Sequence, residues 1–369
     1  MTDARIARPR VSVIMTAKNE EDLIESAIRS VLDQSFRDFE LIVIDDGSTD
    51  ETPHLLFGLA KAEPRLVWHR CALSIGRVPA LNRALSVARG EFIAVMDADD
   101  LCLADRLRLQ VDHLDAHPEI GFVGCGHDII DRDGTPLTAN RTGISADLLN
   151  WMAPFTPPLI HPTGMIRKTV LTSNSIRYRL PEERRASVQD PDPRAGTHGV
   201  AEDFDLWQRL ASVTDGDVIE GCHFLYRKPV DATSAPRPAR RLANTLDIMD
   251  IALAKRYTDV LEVQRRTLIS VLRDDISLSP GQVSEASRTL RHMRETWIKR
   301  RQPSAADQQA SARLCARWLM RSLTQRTKTE MVAGTVAMVG SDFGLTVPMV
   351  SEVIDTGSRR MKAALSRHE

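Results

Sequence analysis

Between Val11 and Asp100 the chain alternates short apolar, β-branched runs with amphipathic stretches, and that rhythm limits the fold more than any other feature. VSVIM (11–15), Phe39 to Ile44, Leu66 to His69 and Phe92 to Met96 read as strands. Between them Leu23, Ile24, Ala27, Ile28, Val31 and Leu32 recur at helical spacing, and Thr52 to Ala62 and Val78 to Ala88 suit two further helices. Strands alternating with helices at short intervals predict βαβ units, an α/β fold and a mainly parallel sheet covered on both faces. In such sheets a ligand sits at the carboxyl ends of the strands, beside a topological switch point. Two acidic clusters, Asp45-Asp46 and Asp97-Ala98-Asp99-Asp100, fall at those ends.

Three carboxylates within four positions repel one another unless a cation, a hydrogen-bond donor or water compensates them. A DxD at the end of a hydrophobic strand offers hard oxygen ligands to Mg²⁺ or Mn²⁺. Solvated turn and cap residues are the plainer explanation, and for the motif in isolation the better one.

Further along, Asp105 to His117 reads as a helix stopped by Pro118, Ile120 to Cys125 as a strand, and Ile129 to Gly134 as a strand and turn. The proline- and glycine-punctuated stretch 181–199 predicts a mobile loop. It leads into Phe204, Leu206, Trp207, Leu210 and Ala211 at helical spacing, with Glu202 and Asp203 at the helix start. Beyond a hinge at Pro236 and Pro238 the pattern turns helical over 239–257, 283–300, 304–326 and 347–366. The expected division is therefore an α/β domain at 1–235 and an α-helical region at 236–369. Charge supports it: residues 236–369 hold 23 Lys/Arg against 14 Asp/Glu, and the preceding residues 26 against 36. Arg313, Arg317, Arg321 and Arg326 lie beside an apolar stripe; a helix packing that stripe with its basic face solvated is the preferred reading, a helix gripping anionic lipid the alternative.

Five cysteines scattered singly argue against a structural zinc site or a disulfide framework. With no apolar run of about 18 residues and no apolar segment behind the N-terminal arginines, the expectation is a cytoplasmic protein.

Several elements together carry a resemblance. VSVIMTAKNE (11–20), SVLDQSFRDFELIVIDDGSTDET (30–52), IGRVPALNRALSVARGEFIAVMDADD (75–100), HPTGMIRKTVL (161–171) and AEDFDLW (201–207) resemble, in the expected order, glycosyltransferase family 2. The resemblance covers about residues 10–230. It implies a GT-A type, Rossmann-like nucleotide-binding domain and an inverting enzyme. That enzyme moves a sugar from a nucleotide-diphosphate sugar, a UDP-sugar first, to a hydroxyl of a glycan or lipid-linked glycan. Implied donor contacts are Thr16, Glu20, Asp46, Gly76, Asn82, Asp97, Ala98, His161 and Arg227, with Asp46 reading the base and Asp97 near the ribose or sugar. Asp99 is the implied ligand of Mn²⁺ or Mg²⁺, and Asp100 is left to hold the turn. Asp203 is the implied general base, Glu202 the fallback, since an inverting transfer needs a carboxylate to take the acceptor's proton. His161 of the HP pair is implied on the acceptor side as well. Leu81 stands where the family often has Arg, and Tyr226-Arg227-Lys228 lacks the family's Arg-x-His.

Two other classes compete. IDD at a strand end suits a phospho-acceptor receiver domain, but such a domain is shorter and gives the Glu202-Asp203 helix no purpose. A catalytically silent relative acting as a scaffold or regulatory subunit is the second, and intact Asp46, Asp99 and Asp203 weigh against it. Attachment to the inner face of a membrane and a homo-oligomer through the helical region stay open; nucleic acid is not an expected partner.

Overall fold

The computed structural model describes residues 8–180, 201–228, 238–273, 279–324 and 341–345. The predicted loop 181–199, the Pro236 hinge and the helix at 347–366 lie outside them, as does Arg326. Two compact units are present, Met1–Thr245 and Leu246–Glu369.

The first unit runs β1 (Val11–Ala17), α1 (Ile24–Leu32), β2 (Phe39–Asp45), α2 (Thr52–Ala62), β3 (Leu66–Arg70), α3 (Arg77–Val87) and β4 (Phe92–Asp97). Then follow β5 (Leu101–Cys102), α4 (Arg106–Ala116), β6 (Ile120–Ile130), β7 (Pro136–Asn140), α5 (Ala146–Met152), β8 (Met165–Arg167), α6 (Lys168–Ser173), α7 (Glu202–Leu210) and β9 (Asp215–Arg227). The strands form one sheet in the order β3-β2-β1-β4-β8-β6-β9-β5, with β7 paired to β6.

Its first half is the predicted βαβ array: β3, β2, β1 and β4 are mutually parallel. Every residue of β1 and β2 is buried, which is why these strands read as unbroken apolar runs. Alternate side chains serve the two faces. Val13, Met15 and Val43 pack with Ile24, Ile28 and Val31 of α1 and Leu107 and Val111 of α4. Ile14, Ile42 and Val95 pack with Leu81 and Ala84 of α3 and Leu206, Trp207 and Leu210 of α7.

The second half corrects the expectation of a mainly parallel sheet. β8 runs antiparallel to both β4 and β6, β7 to β6, and β5 to β9, while β6 and β9 pair in parallel. The sheet is mixed because β7 returns on β6 through a turn, and β8, reached through α5 and a short 3₁₀ turn at His161–Thr163, enters between β4 and β6 in the opposite sense to both. The apparent break between Cys125 and Ile129 is also no break, since β6 continues to Ile130 before the hairpin to β7.

Beyond β9 the described chain is helical: α8 (Pro238–Arg256), α9 (Glu262–Arg273), α10 (Pro280–Arg301) and α11 (Ala305–Thr324). Leu268, Leu290, Met293, Cys315 and Leu319 are fully buried. Arg313 and Arg317 are exposed on α11, as a solvated basic face requires. No helix among the described residues is long and apolar enough to cross a membrane.

Candidate active site

The switch point lies between β1 and β4, where the chain leaves β1 for β2 on one side and meets β4 on the other. Thr16, nearly buried, pairs in register with Asp97 across that point. Asp97, Asp99 and Asp100 follow at the end of β4, and carboxylate oxygens from all three lie within 4.8 Å of one another. Ala98, the small residue between them, is buried.

Each acid meets a different environment. Burial opposes ionisation of Asp97, but its Oδ1 accepts from Arg77 Nη2 at 2.6 Å and that guanidinium holds the carboxyl below the ordinary range. Burial, then the Asp97 charge, pushes Asp99 up to about 6. Asp100 has no exposed surface; burial and its two acidic neighbours raise it well above the usual value. Its Oδ1 accepts from the Arg227 main-chain N–H at 2.6 Å, while Oδ2 is buried without a partner. Glu20, approaching from the loop after β1, is pushed up to about 7 by burial and by Asp99, Asp97 and Asp50. An orphaned buried carboxylate oxygen beside two carboxyls that resist ionisation is what a site lacking its counter-charge looks like. The three carboxylates are a donor set that fits a divalent cation. Asp100, expected from sequence to hold the turn, is tied to the end of β9 through the Arg227 main chain.

Asp46, at the end of β2, turns its carboxylate to the loop before α3. It accepts from Ser74 Oγ at 2.8 Å, from Ile75 N at 2.6 Å and from Gly76 N at 3.0 Å. Gly76 N reaches the other carboxylate oxygen too, at 3.2 Å, so the loop engages both oxygens with two contacts each. Gly47 makes the contact feasible: at φ +72°, a Cβ there would stand 2.6 Å from Ser74 N. Asn82 is paired in both directions with the Tyr178 main chain, at 3.0 Å each way. The Arg227 guanidinium donates to the main-chain oxygens of Asp99 at 2.7 Å, Asp131 at 2.9 Å and Arg132, tying the end of β4 to the end of β6.

Glu202 and Asp203 begin α7, where acids suit the positive end of the helix dipole. Trp207 fixes the helix: Gly164 leaves the room its ring fills, since a Cβ there would lie 2.3 Å from the indole. Asp205, buried, receives Arg179 at 2.6 Å and Arg209 at 2.9 Å. Asp203 Oδ1 accepts from Phe204 N at 2.8 Å, and among the described residues its other oxygen has no hydrogen-bond partner. Glu202 Oε1 accepts from Arg77 Nε at 2.9 Å. His161 sits beneath, its Nε2 3.1 Å from the Tyr178 hydroxyl and its Nδ1 unpartnered; burial pushes it down to about 4, so the ring is neutral at pH 7.

Two cavities flank the cluster. One, of about 460 Å³, is lined by Glu20, Asp50, Asp99, Arg132, Arg227 and Lys228. The other, of about 430 Å³, is lined by Arg77, Asp97, His161, Glu202, Asp203 and Tyr226 among others. The structure thus brings together Glu20, Asp97, Asp99, Asp100, Glu202, Asp203 and His161, and sets Asp46 and Gly76 one loop away. Arg77 and Tyr178 were not foreseen. Arg77 stands between the quoted Gly76 and a helix whose other positions read as ordinary amphipathic spacing, and nothing local marks its partners.

Residues 12–173 match the family model described as glycosyl transferase family 2. The chain is 36% identical over 130 residues to a Bacillus subtilis protein named for glycosyl transfer in teichuronic acid biosynthesis, TuaG, covering 35% of this chain and 51% of that protein. It is 30% identical over 228 residues to an uncharacterized glycosyltransferase of Methanocaldococcus jannaschii, covering 60% of this chain and 72% of that protein. Over 123 residues it is 34% identical to the Escherichia coli UDP-Glc:alpha-D-GlcNAc-diphosphoundecaprenol beta-1,3-glucosyltransferase WfgD, covering 33% of this chain and 47% of that protein. The chain thus spans about half the length of the TuaG and WfgD relatives. Among solved structures, S. aureus TarS 1-349 in complex with UDP-GlcNAc superposes with a TM-score of 0.55 at 17% identity, over 91% of this chain and 92% of that one, a likeness of fold.

Proposed function

The chain belongs to glycosyl transferase family 2, and from that premise we propose that it is a divalent-metal-dependent enzyme transferring a sugar, with inversion, from a UDP-sugar to a hydroxyl of a glycan or lipid-linked glycan. The observation that carries the reading is that Asp97, one of three clustered acids at the end of β4, is joined through the Arg77 guanidinium to Glu202, the neighbour of Asp203 at the start of α7. The UDP-Glc in the name of WfgD and the UDP-GlcNAc bound by TarS support the choice of donor.

In this reading the nucleotide meets Thr16, Asp46 and the loop at 74–76, and the diphosphate lies toward Asp99. Mn²⁺ or Mg²⁺, when bound, would neutralise charge developing on the departing diphosphate. Asp203 faces the acceptor. As the acceptor oxygen bonds to the anomeric carbon, the bond from that carbon to the phosphate oxygen breaks and its electron pair leaves with the nucleoside diphosphate. The hydroxyl proton passes to the unpaired oxygen of Asp203. Glu202 is the weaker candidate for that step because its carboxylate is already committed to Arg77. Neutral His161, backed by the buried Tyr178 hydroxyl, lines the acceptor cavity without adding a charge to it. The proposed place of action is the cytoplasm or the inner face of a membrane.

Calorimetric titration with UDP in the presence and absence of Mn²⁺ tests the donor side: metal-dependent binding is expected, and binding of no nucleoside diphosphate under either condition contradicts it. Labelling of an aspartate by a small phosphodonor would favour the receiver alternative instead.

A further inference from the structure

Arg77 opens α3 directly after the loop that Asp46 organises. Its Nη2 donates to Asp97 Oδ1 at 2.6 Å and its Nε to Glu202 Oε1 at 2.9 Å. Among the described residues it is the only side chain hydrogen-bonded to either carboxylate. The side chains are 35% exposed for Arg77, 20% for Asp97 and 13% for Glu202, so this is no solvent-bathed surface pair of negligible strength. The planar guanidinium presents its N–H groups in fixed directions, which lets one residue fix two acids relative to each other.

We propose that Arg77 is a positioning residue: through Glu202 it holds the first turn of α7, and with it Asp203, against the acidic end of β4. This rests on the reading of Asp203 as the base. The acids it joins lie 20 residues after it and 125 residues after it in the sequence, on elements that share no hydrogen-bonded strand pairing. Because residues 74–77 are consecutive, the same bridge links the Asp46 carboxylate to α7 through one short segment. A charge-neutralising role alone would need only the Asp97 contact; the second contact, to Glu202, adds a tie at the first residue of α7 to the anchoring that Trp207 and Asp205 give further along the helix.

The test compares wild type, Arg77→Gln, Glu202→Ala and the double variant in the full chain, by hydrogen exchange over residues 202–210 and by transfer kinetics. In each single variant these amides are expected to exchange about tenfold faster or more. The turnover number is expected to fall on the order of 10- to 100-fold, with donor KM moving less than about threefold. The double variant is expected to be worse than either single one by less than about threefold, because both remove one bridge. Losses that multiply in the double variant, or α7 amides that exchange as in wild type, overturn the proposal. Glu202→Ala removes the acceptor and so breaks the contact from the other side, and the result does not hang on Arg77→Gln folding. The exchange readout needs no turnover. Wild-type turnover in Asp203→Asn would therefore reject the base assignment separately, leaving Arg77 to stand or fall on the exchange.

Discussion

Asp97, Asp99 and Asp100 occupy four positions yet differ in charge balance, and the difference assigns their roles. Asp97 has its cation in Arg77, Asp100 has one oxygen on the Arg227 main-chain N–H, and among the described residues no other residue hydrogen-bonds the Asp99 carboxylate. Asp99 is accordingly the acid with most to gain from a metal, and Asp99→Asn is expected to abolish the dependence of UDP binding on Mn²⁺ while the protein stays folded. Unchanged metal dependence, read by titration, would move the ligand to Asp100. Glu20 yields a pH prediction. Its folded value of about 7 lies above its ordinary 4.5, so its protonated form stabilises the fold fully below about 4.5, and that contribution is lost as pH rises through about 7. With EDTA present, Glu20→Gln is expected to gain thermal stability over wild type at pH 8 and to lose that advantage at pH 5. His161, down at about 4, acts in the opposite sense, weakening the fold as pH falls from 6.5 toward 4. It is present in both proteins, so it cancels in the difference. A melting-temperature difference that stays flat with pH would contradict the placement of Glu20.

At the scale of elements, the turn after β2 governs the donor side. Gly47→Ala meets both a left-handed φ and main-chain atoms of Leu73 and Ser74, so it is expected to cost about 1–3 kcal/mol and to weaken UDP binding by displacing the loop from Asp46. Gly134 provides the control, since it has φ +88° with nothing within 4 Å of a Cβ; Gly134→Ala is expected to cost about 1 kcal/mol and leave UDP binding unchanged. Urea melts and UDP titrations of the two variants check both statements. Elements with a long periodic signal were legible: α1, α2, α3, α4, α7 and the strands β1 to β4 fall within a residue or two of their predicted bounds. β8 was not, because three residues carry no period, and α5, α6 and α9 were missed where short or mixed patterns hid them. In the site, the acids were legible because each ends an apolar strand or begins a helix. Arg77 was not, because its meaning lies in partners supplied by β4 and α7, and no spacing along the chain encodes that meeting.

For the whole molecule, the parallel half of the sheet followed from βαβ rhythm and the mixed half did not, because β5 and β8 have two and three residues and β7 returns on β6 through a turn, so none shows a period that fixes its direction. That mixed half lines the cavity proposed for the acceptor, with residues of β6, β9 and α7, beside the ends of β1, β2 and β4 proposed for the nucleotide. The acidic end of β4 stands between the two cavities, with Asp99 lining one and Asp97 the other. The central claim is that these acids and Asp203 form one transfer site. Its most direct measurement is a panel of nucleotide sugars incubated with wild type and Asp203→Asn, with Mn²⁺ or with EDTA, scored for release of nucleoside diphosphate and for nucleotide binding. The expected result is metal-dependent release by wild type from a UDP-sugar, reduced about 10²- to 10⁴-fold in Asp203→Asn, which still binds UDP. Equal release by the two proteins, or no nucleoside diphosphate bound by either with metal present, is the result that would contradict it.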